Sequence, residues 1–206
     1  MSGGYFPDYE LLELLLFYTH PRKDTKPYAK KLLQQFQSIS QIVNTKYDDL
    51  VKTDGITDQT IVLFRLIQEI GARLLREEIC KNPVIGSEEQ VIQYCHMMMA
   101  HLPIEQFRAL FLNKKNMLIK DCVMQEGTID NAAVYPREIA KLALDLRASA
   151  VIVVHNHPTG NPTPSQSDIE ITREIKNALG VLDIALYDHI IVGRYGHVSF
   201  RRSDLL

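Results

Sequence analysis

The sequence lacks several features that mark specialised classes of protein. Its three cysteines, Cys80, Cys95 and Cys122, have no paired spacing, and its 206 residues contain neither a signal peptide nor a long apolar run. Scattered cysteines of this kind are typical of reduced thiols, so we expect a cytoplasmic protein that does not span a membrane. Low-complexity segments and internal repeats are also missing, which leaves no sign of a repeat architecture.

A strong excess of one sign of charge is missing as well. The formal net charge is -2 and the isoelectric point is about 6.4, so the chain as a whole does not attract nucleic acid electrostatically. The first 82 residues carry 11 basic and 11 acidic side chains, and the remainder carry 12 and 14. DNA is therefore a weakly supported partner. Hydrophobic residues make up 46% of the chain, enough for one large or two small cores.

The segment that organises the chain runs from residue 151 to residue 168. Four β-branched residues at 151–154 predict a buried strand. His155 and His157 are two residues apart, so on an extended backbone their side chains point to the same side. Asp168, at the beginning of a predicted helix, offers a third ligand. Two imidazoles and one carboxylate, with a fourth position left for water, form the ligand set of a catalytic rather than a structural zinc.

Each part of this segment has an alternative interpretation. A single histidine at a strand end is more often a hydrogen-bonded structural residue than a metal ligand. Ser165-x-x-Asp168 before an apolar periodic run also resembles a capping box, with Ser165 as the N-cap. The complete constellation favours metal binding, and a helix start is a good place to fix an aspartate.

The spacing of these residues resembles a known motif. His155-x-His157, seven residues and then Ser165-x-x-Asp168 is similar to the JAMM motif of MPN-type metalloproteases. The sequence of residues 155–165, His-Asn-His-Pro-Thr-Gly-Asn-Pro-Thr-Pro-Ser, resembles that of the RadC family, bacterial proteins that carry the label of DNA repair proteins. The resemblance implies an α/β sandwich of the MPN/JAB type, layered as in cytidine deaminases, with one zinc ion per chain. It also implies that Ser165 donates a hydrogen bond to the oxyanion that develops during the reaction.

A water molecule on zinc needs a base that is not itself a ligand. In the JAMM family this base is a glutamate at the junction of the first helix and the following strand, and the resemblance implies Glu105. Glu138 is the competing candidate, although the helix dipole also explains a glutamate in a first turn. The resemblance thus implies a zinc metallopeptidase or isopeptidase with Glu105 and Ser165 as catalytic residues. Its protein or peptide substrate is not identified by the sequence.

The other histidines are assigned to structural or surface roles. His189 has two interpretations, a hydrogen-bond partner that holds a metal ligand or a buried histidine with its own structural bonds, and the second is favoured. The remaining four have no metal-ligand spacing: His20, His96, His101 and His197.

Helical periodicity dominates the residues before Asn82–Pro83. Helices are predicted over 9–18, 27–36, 38–43, 47–51 and 58–80. We therefore predict a small all-α domain over residues 1–82 and a zinc metallohydrolase domain over residues 83–206.

The turn at Gly55 suggests a helix-hairpin-helix, a module that binds the DNA backbone through turn amides and a helix N-terminus. The RadC family has a Gly-Ile-Gly type hairpin here, whereas in this chain Thr57 replaces the second glycine and Asp54 and Asp58 flank the turn. Glycine lets backbone amides approach a phosphate closely, and carboxylates repel one. A helical accessory domain is therefore favoured over phosphate binding. The family usually extends before Asp8, so the resemblance also implies a shortened N-terminus.

The C-terminal part alternates strands with helices. Strands are predicted over 105–112, 117–123, 124–128, 148–154, 184–186, 189–192 and 197–200. Helices are predicted from 86 to 100 with Ser87 as N-cap, from 135 to 146 with Pro136 in the first turn, and from 165 to 179 with Gly180 as a left-handed cap. This order indicates an α/β sandwich with the site at strand ends.

Three other functions stay open. The family label suggests a DNA-associated repair or recombination factor, which a basic face on the helical domain would support and the charge count does not. A non-catalytic interaction module with a bound metal is the second, although the intact ligand set argues against it. A metallohydrolase that acts on nucleic acid is the third, because resemblance of fold does not decide which bond is cut.

Overall fold

The computed structural model describes residues 6–84, 88–127, 134–194 and 196–206. The helices in these ranges are α1 (Asp8–Phe17), α2 (Lys26–Phe36), α3 (Ile39–Val43), α4 (Tyr47–Val51), α5 (Asp58–Lys81), α6 (Glu88–Met99), α7 (Pro136–Asp145) and α8 (Gln166–Gly180). The strands are β1 (Glu105–Leu112), β2 (Leu118–Gly127), β3 (Ala150–Asn156), β4 (Ala185–Val192) and β5 (His197–Ser199). Within these ranges no helix is both long and apolar enough to cross a membrane.

The chain divides into two compact units, Met1–Gly71 and Ala72–Leu206, and the division falls inside α5. The predicted domain boundary after residue 82 lies further along, just past the end of that helix, and stays a prediction. A helix that belongs to two units gives no local signal of the division, because its hydrogen bonds and its periodicity continue through it.

From residue 6 onwards, where the structure describes it, the first unit contains helices and no strand, as the apolar periodicity predicts. Its core consists of Leu12, Leu16, Ala29, Leu32, Ile42, Val43, Leu50, Ile61 and Phe64. Gln68 extends the buried stripe of α5 and donates from Nε2 to Asn44 Oδ1 at 2.8 Å. Because a buried amide without a partner is costly, this bond satisfies the polar end of an otherwise apolar face.

The backbone amides that follow Gly55 donate to neighbouring residues within the turn. The Ile56 amide donates to the Thr53 carbonyl at 3.1 Å, and the Thr57 amide donates to Thr60 Oγ1 at 3.4 Å. The amides of Ile56 and Thr57 are therefore already bonded, whereas a phosphate-binding turn directs its amides outward. This arrangement fits the helical accessory role that the sequence favours.

The second unit is built on a five-stranded sheet of order β2-β1-β3-β4-β5, in which β3 and β4 are parallel and the other pairs antiparallel. Helix α6 covers one face, where it packs on Leu110, Leu112, Ile152 and Val154. Helices α7 and α8 cover the other face, where they pack on Phe107, Ala109, Phe111, Val151 and Val153. A strand buried on both faces is apolar at every position, which explains the β-branched run in β3. The predicted α/β sandwich is confirmed.

Two predicted strand breaks are wrong, and both lie at bulges. The strand predicted to end at residue 123 continues as β2. Its pairing with β1 leaves out Met124 and resumes at Gln125, so Met124 is a bulge within one strand. The predicted gap between residues 186 and 189 is part of β4, because the pairing with β3 skips Tyr187. A bulge inserts one residue that reverses the alternation of inward and outward side chains, so a continuous strand resembles two short ones in sequence.

The predicted end of α8 is also wrong in detail. Gly180 is the last helical residue and does not have positive φ, and Val181 follows it in the right-handed conformation. The left-handed residue is Asp183, at φ 55°, a conformation that the short polar side chain of aspartate tolerates. The predicted N-cap Ser87 lies outside the described residues.

Replacement of Gly55 by alanine should destabilise the first unit. Gly55 has φ +82°, and a Cβ atom there would clash with the ring of Tyr28. We expect Gly55→Ala to lower the free energy of unfolding by about 1–3 kcal/mol in urea titrations, because an L-residue is strained in this conformation. The control is Gly180→Ala, where a Cβ meets nothing within 4 Å. A Gly55→Ala protein as stable as this control would contradict the expectation.

Candidate metal centre

The end of β3 places two histidines beside each other. His155 pairs with Phe107 of β1 and with Ile191 of β4, and it is 1% exposed. The His157 amide donates to the Val192 carbonyl at 2.9 Å, which keeps the next residues of the chain against β4. The two Nε2 atoms lie 3.0 Å apart. Both imidazoles therefore meet on one side of the strand, as their spacing predicts.

Helix α8 brings Asp168 to the same point. Ser165 is its N-cap and forms a reciprocal capping box with Asp168. Asp168 Oδ2 accepts from the Ser165 amide and from the Ser165 hydroxyl, each at 2.7 Å, and the Asp168 amide donates to Ser165 Oγ at 3.2 Å. The other carboxylate oxygen, Oδ1, lies 3.1 Å from His155 Nε2. Capping box and ligand position are thus both present, because Oδ1 faces His155 while Oδ2, which serves the cap, also lies 3.4 Å from His157 Nε2.

The three side chains fit a divalent metal ion. Their candidate ligand atoms lie close together, with 3.0 Å between the two Nε2 atoms, 3.1 Å from Asp168 Oδ1 to His155 Nε2 and 3.4 Å from Asp168 Oδ2 to His157 Nε2. Two ligand atoms of a tetrahedral zinc, each about 2.0–2.1 Å from the ion, are about 3.3 Å apart. Among the described residues this is the group of histidines and acids that could hold a metal.

The outer nitrogens of both imidazoles are also occupied. His157 Nδ1 donates to the Asn161 carbonyl at 2.8 Å, so Nε2 is the ring nitrogen that a metal would take in exchange for a proton. His155 Nδ1 lies 2.8 Å from His189 Nε2. Hydrogen bonds of this kind fix the tautomer and the ring orientation of metal-binding histidines.

His189 belongs to a series of hydrogen bonds that leads from His155 to Asp168, the third ligand. Its Nδ1 lies 2.6 Å from the Thr172 hydroxyl, which in turn donates to the Asp168 carbonyl. Burial, and next the neighbouring His155, lower the pKa of His189 well below its ordinary value, so the ring is neutral. A neutral ring that donates to Thr172 can accept from His155 Nδ1. His189 is thus buried with both ring nitrogens bonded, as the interpretation favoured from the sequence requires, and because one partner is the predicted ligand His155 the two interpretations do not exclude each other.

Charge within the centre is arranged to keep the carboxylate ionised. Burial raises the pKa of Asp168, but the hydrogen bonds from His155 and His157 outweigh it and hold that pKa well below the ordinary value. The hydrogen bond to Asp168 raises the pKa of His157 in return. A deprotonated carboxylate at the centre is the form that binds a cation.

The centre opens into a cavity of about 630 Å³. Glu105, the first residue of β1, lines this cavity together with His157, Ser165 and Asp168, and apolar walls are formed by Phe107, Val134, Pro158 and Ile171. The competing candidate, Glu138, has a side chain that is 56% exposed and lies 3.6 Å from Arg137. The structure thus brings Glu105 to the predicted centre.

The hydroxyl of Ser165 is already engaged. It donates to Asp168 Oδ2, and its oxygen accepts from the Asp168 amide. A hydrogen bond to a substrate oxyanion requires this hydroxyl to rotate away from Oδ2, so the role of Ser165 stays a prediction.

The structure gives His20 a structural role. Its Nε2 donates to the Gly55 carbonyl at 2.7 Å, and the residue is buried in the first unit. Burial, and next His197, lower the pKa of His96. Neither ring provides an atom to the metal centre.

Comparison with known proteins shows the family to which the sequence is similar. Residues 85–205 match the family described as RadC-like JAB domain. A UPF0758 protein of Rhodobacter capsulatus is 44% identical over 208 residues, which cover all of this chain and 97% of that protein. A UPF0758 protein of Ruegeria pomeroyi is 43% identical over 208 residues, which cover all of this chain and 93% of that protein. The resemblance inferred from residues 155–165 is confirmed.

The two functions of the Asp168 carboxylate can be separated by substitution. We expect about one zinc ion per wild-type chain and little in either Asp168→Ala or Asp168→Asn, measured by elemental analysis after dialysis. The asparagine retains a side-chain oxygen for the Ser165 amide. Its metal-free stability should therefore stay nearer to wild type than that of the alanine variant. Glu138→Ala is the control, and zinc retained by Asp168→Asn at the wild-type level would contradict this ligand assignment.

The hydrogen bonds that join His155 to His189 and His189 to Thr172 should contribute to metal affinity. We expect His189→Leu and Thr172→Val to weaken zinc binding by about 10–100-fold, because each leaves the orientation of His155 less constrained. Competition with a chromophoric chelator measures the change. The matched control is His20→Leu, which removes a buried histidine of the first unit. Wild-type affinity in both test variants would exclude this role.

Proposed function

The chain belongs to the RadC family, and we propose that it is a zinc-dependent hydrolase of the peptidase or isopeptidase type, acting on an amide bond of a protein or peptide. The observation that carries this proposal is the convergence of His155, His157 and Asp168 at a cavity that Glu105 also lines. Two histidines and one carboxylate leave room for substrate or water, as catalytic rather than structural zinc sites do.

The residues of the centre divide the chemistry among them. A zinc ion held by His155, His157 and Asp168 would lower the pKa of a water molecule towards about 7 and polarise a carbonyl group. Glu105 accepts a proton from the attacking water and passes it to the leaving nitrogen as the carbon–nitrogen bond breaks. Ser165 turns its hydroxyl towards the carbonyl oxygen as negative charge develops there.

The charges of the cavity favour an amide substrate over a phosphodiester. The acidic residues that line it are Glu105, Asp168 and Glu174, and its described lining contains no lysine or arginine. Carboxylates repel a phosphate group, whereas phosphate-binding proteins present basic side chains or free amides. An amide carries no charge, and the apolar wall formed by Phe107 and Ile171 suits an adjacent apolar side chain of a peptide.

Replacement of Glu105 by glutamine tests the proposed base. We expect Glu105→Gln to lower kcat by about 10²–10⁴-fold while zinc content stays at the wild-type level, because glutamine has nearly the same shape but does not accept the proton. The assay is hydrolysis of fluorogenic peptide and lysine-linked isopeptide libraries by the zinc-loaded protein. Glu138→Gln is the control. A wild-type rate for Glu105→Gln would overturn the assignment, and cleavage of neither library by zinc-loaded wild type would overturn the amide proposal.

A further inference from the structure

Asn156 stands between the two ligand histidines, and its side chain is directed to the opposite side of the strand, as alternation along a strand requires. The residue is 1% exposed. Its Oδ1 accepts from the Gln106 amide at 2.8 Å, and its Nδ2 donates to the Ile104 carbonyl at 3.1 Å. These two backbone groups flank Glu105. The amide of Asn156 therefore holds the chain on both sides of the proposed base.

The position of these bonds explains why a side chain is needed. Backbone pairing between β1 and β3 ends at Phe107 and His155, one residue before Asn156, whereas pairing between β3 and β4 continues to Asn156 and Val192. A carboxamide side chain carries one acceptor and donors similar to those of a peptide group. The side chain of Asn156 thus extends the hydrogen bonding between the two chains by one position beyond the last backbone pair of β1 and β3.

We propose that Asn156 is a positioning residue, which places the Glu105 carboxylate towards the centre formed by His155, His157 and Asp168. The inference rests on the proposed function of Glu105 as the base. One tripeptide, 155–157, would then supply two ligands from one face and orient the base from the other. Pairing of Glu105 with Gly127 of β2 provides a second support, so loss of Asn156 should displace the carboxylate without unfolding β1.

The test measures the distance from metal to carboxylate directly. Glutamate side chains are isotope-labelled at the carboxyl carbon, Co²⁺ is bound at the centre, and its paramagnetic relaxation of the Glu105 signal is recorded by NMR. Glu105→Gln removes that signal and so identifies it. We expect strong relaxation in wild type and a severalfold weaker effect in Asn156→Ala and Asn156→Leu, at unchanged Co²⁺ stoichiometry.

The matched control is Asn113→Ala at the other end of β1. Asn113 Oδ1 also accepts from two backbone amides, those of Lys115 at 2.8 Å and Met117 at 3.1 Å. Loss of that side chain should leave the relaxation of Glu105 at the wild-type value. Equal effects of the Asn113 and Asn156 substitutions would show a general loosening of β1 and would overturn the proposal.

Activity on whichever amide substrate is cleaved gives a second readout. We expect Asn156→Ala to lower kcat by about 10–10²-fold with little change in KM, because a misplacement near 1 Å can cost about 10²-fold. In a Glu105→Gln background the same substitution should have almost no further effect. If Glu105→Gln is fully active, the proposed base is wrong and this inference falls with it. If Glu105→Gln is inactive but the Asn156 variants match wild type in relaxation and rate, only the positioning role of Asn156 is wrong.

Discussion

The burial of β3 between two paired strands is the constraint on which the rest of the centre depends. Its backbone is bonded on one side to β1 and on the other to β4, and polar side chains enter such a strand only where each nitrogen or oxygen finds a partner. His155 meets this condition completely, with His189 at Nδ1 and with Asp168 and His157 at Nε2. A cation bound by His155, His157 and Asp168 would replace contacts that already hold these three side chains together, so the fold prearranges the centre.

The carboxylate of Asp168 shows why a structural and a functional interpretation of one residue need not compete. A capping aspartate must be ionised to accept well and must be fixed by its helix, and a metal ligand has the same two requirements. Oδ2 serves the N-cap residue Ser165, and Oδ1 approaches His155. The helix start therefore fixes the ligand, and the histidines stabilise the ionised form that the cap uses.

Local pattern predicted much of this structure, and pairing between distant strands determined what it missed. The bounds of β1, the all-helical first unit and the capping box at Ser165 all follow from periodicity or from short-range hydrogen bonding. The two false strand breaks lie at Met124 and Tyr187, where a bulge imitates a break. The contact of His189 with His155 depends on the parallel register of β4 against β3, and two residues 34 positions apart in the sequence have no local spacing that would reveal it. The role of Asn156 has no local signal for the same reason, because its partners lie about 50 positions away at the beginning of β1, in Ile104 and Gln106.

Register also explains why an upstream glutamate reaches the centre at all. β1 runs antiparallel to β3, so the first residues of β1 lie beside the last residues of β3, and the pairing of Phe107 with His155 brings Glu105 to the level of the next residues along the ligand segment. Side chains two residues apart share a face, so Glu105 and Phe107 lie on the side of the sheet that carries His155. Glu138, by contrast, lies in the first turn of α7, whose buried residues pack on that sheet while the Glu138 carboxylate stays beside Arg137. The position of Glu105 in the lining of the cavity is therefore a consequence of strand direction, and a shift of one residue in the β1 register would move Glu105 to the opposite face.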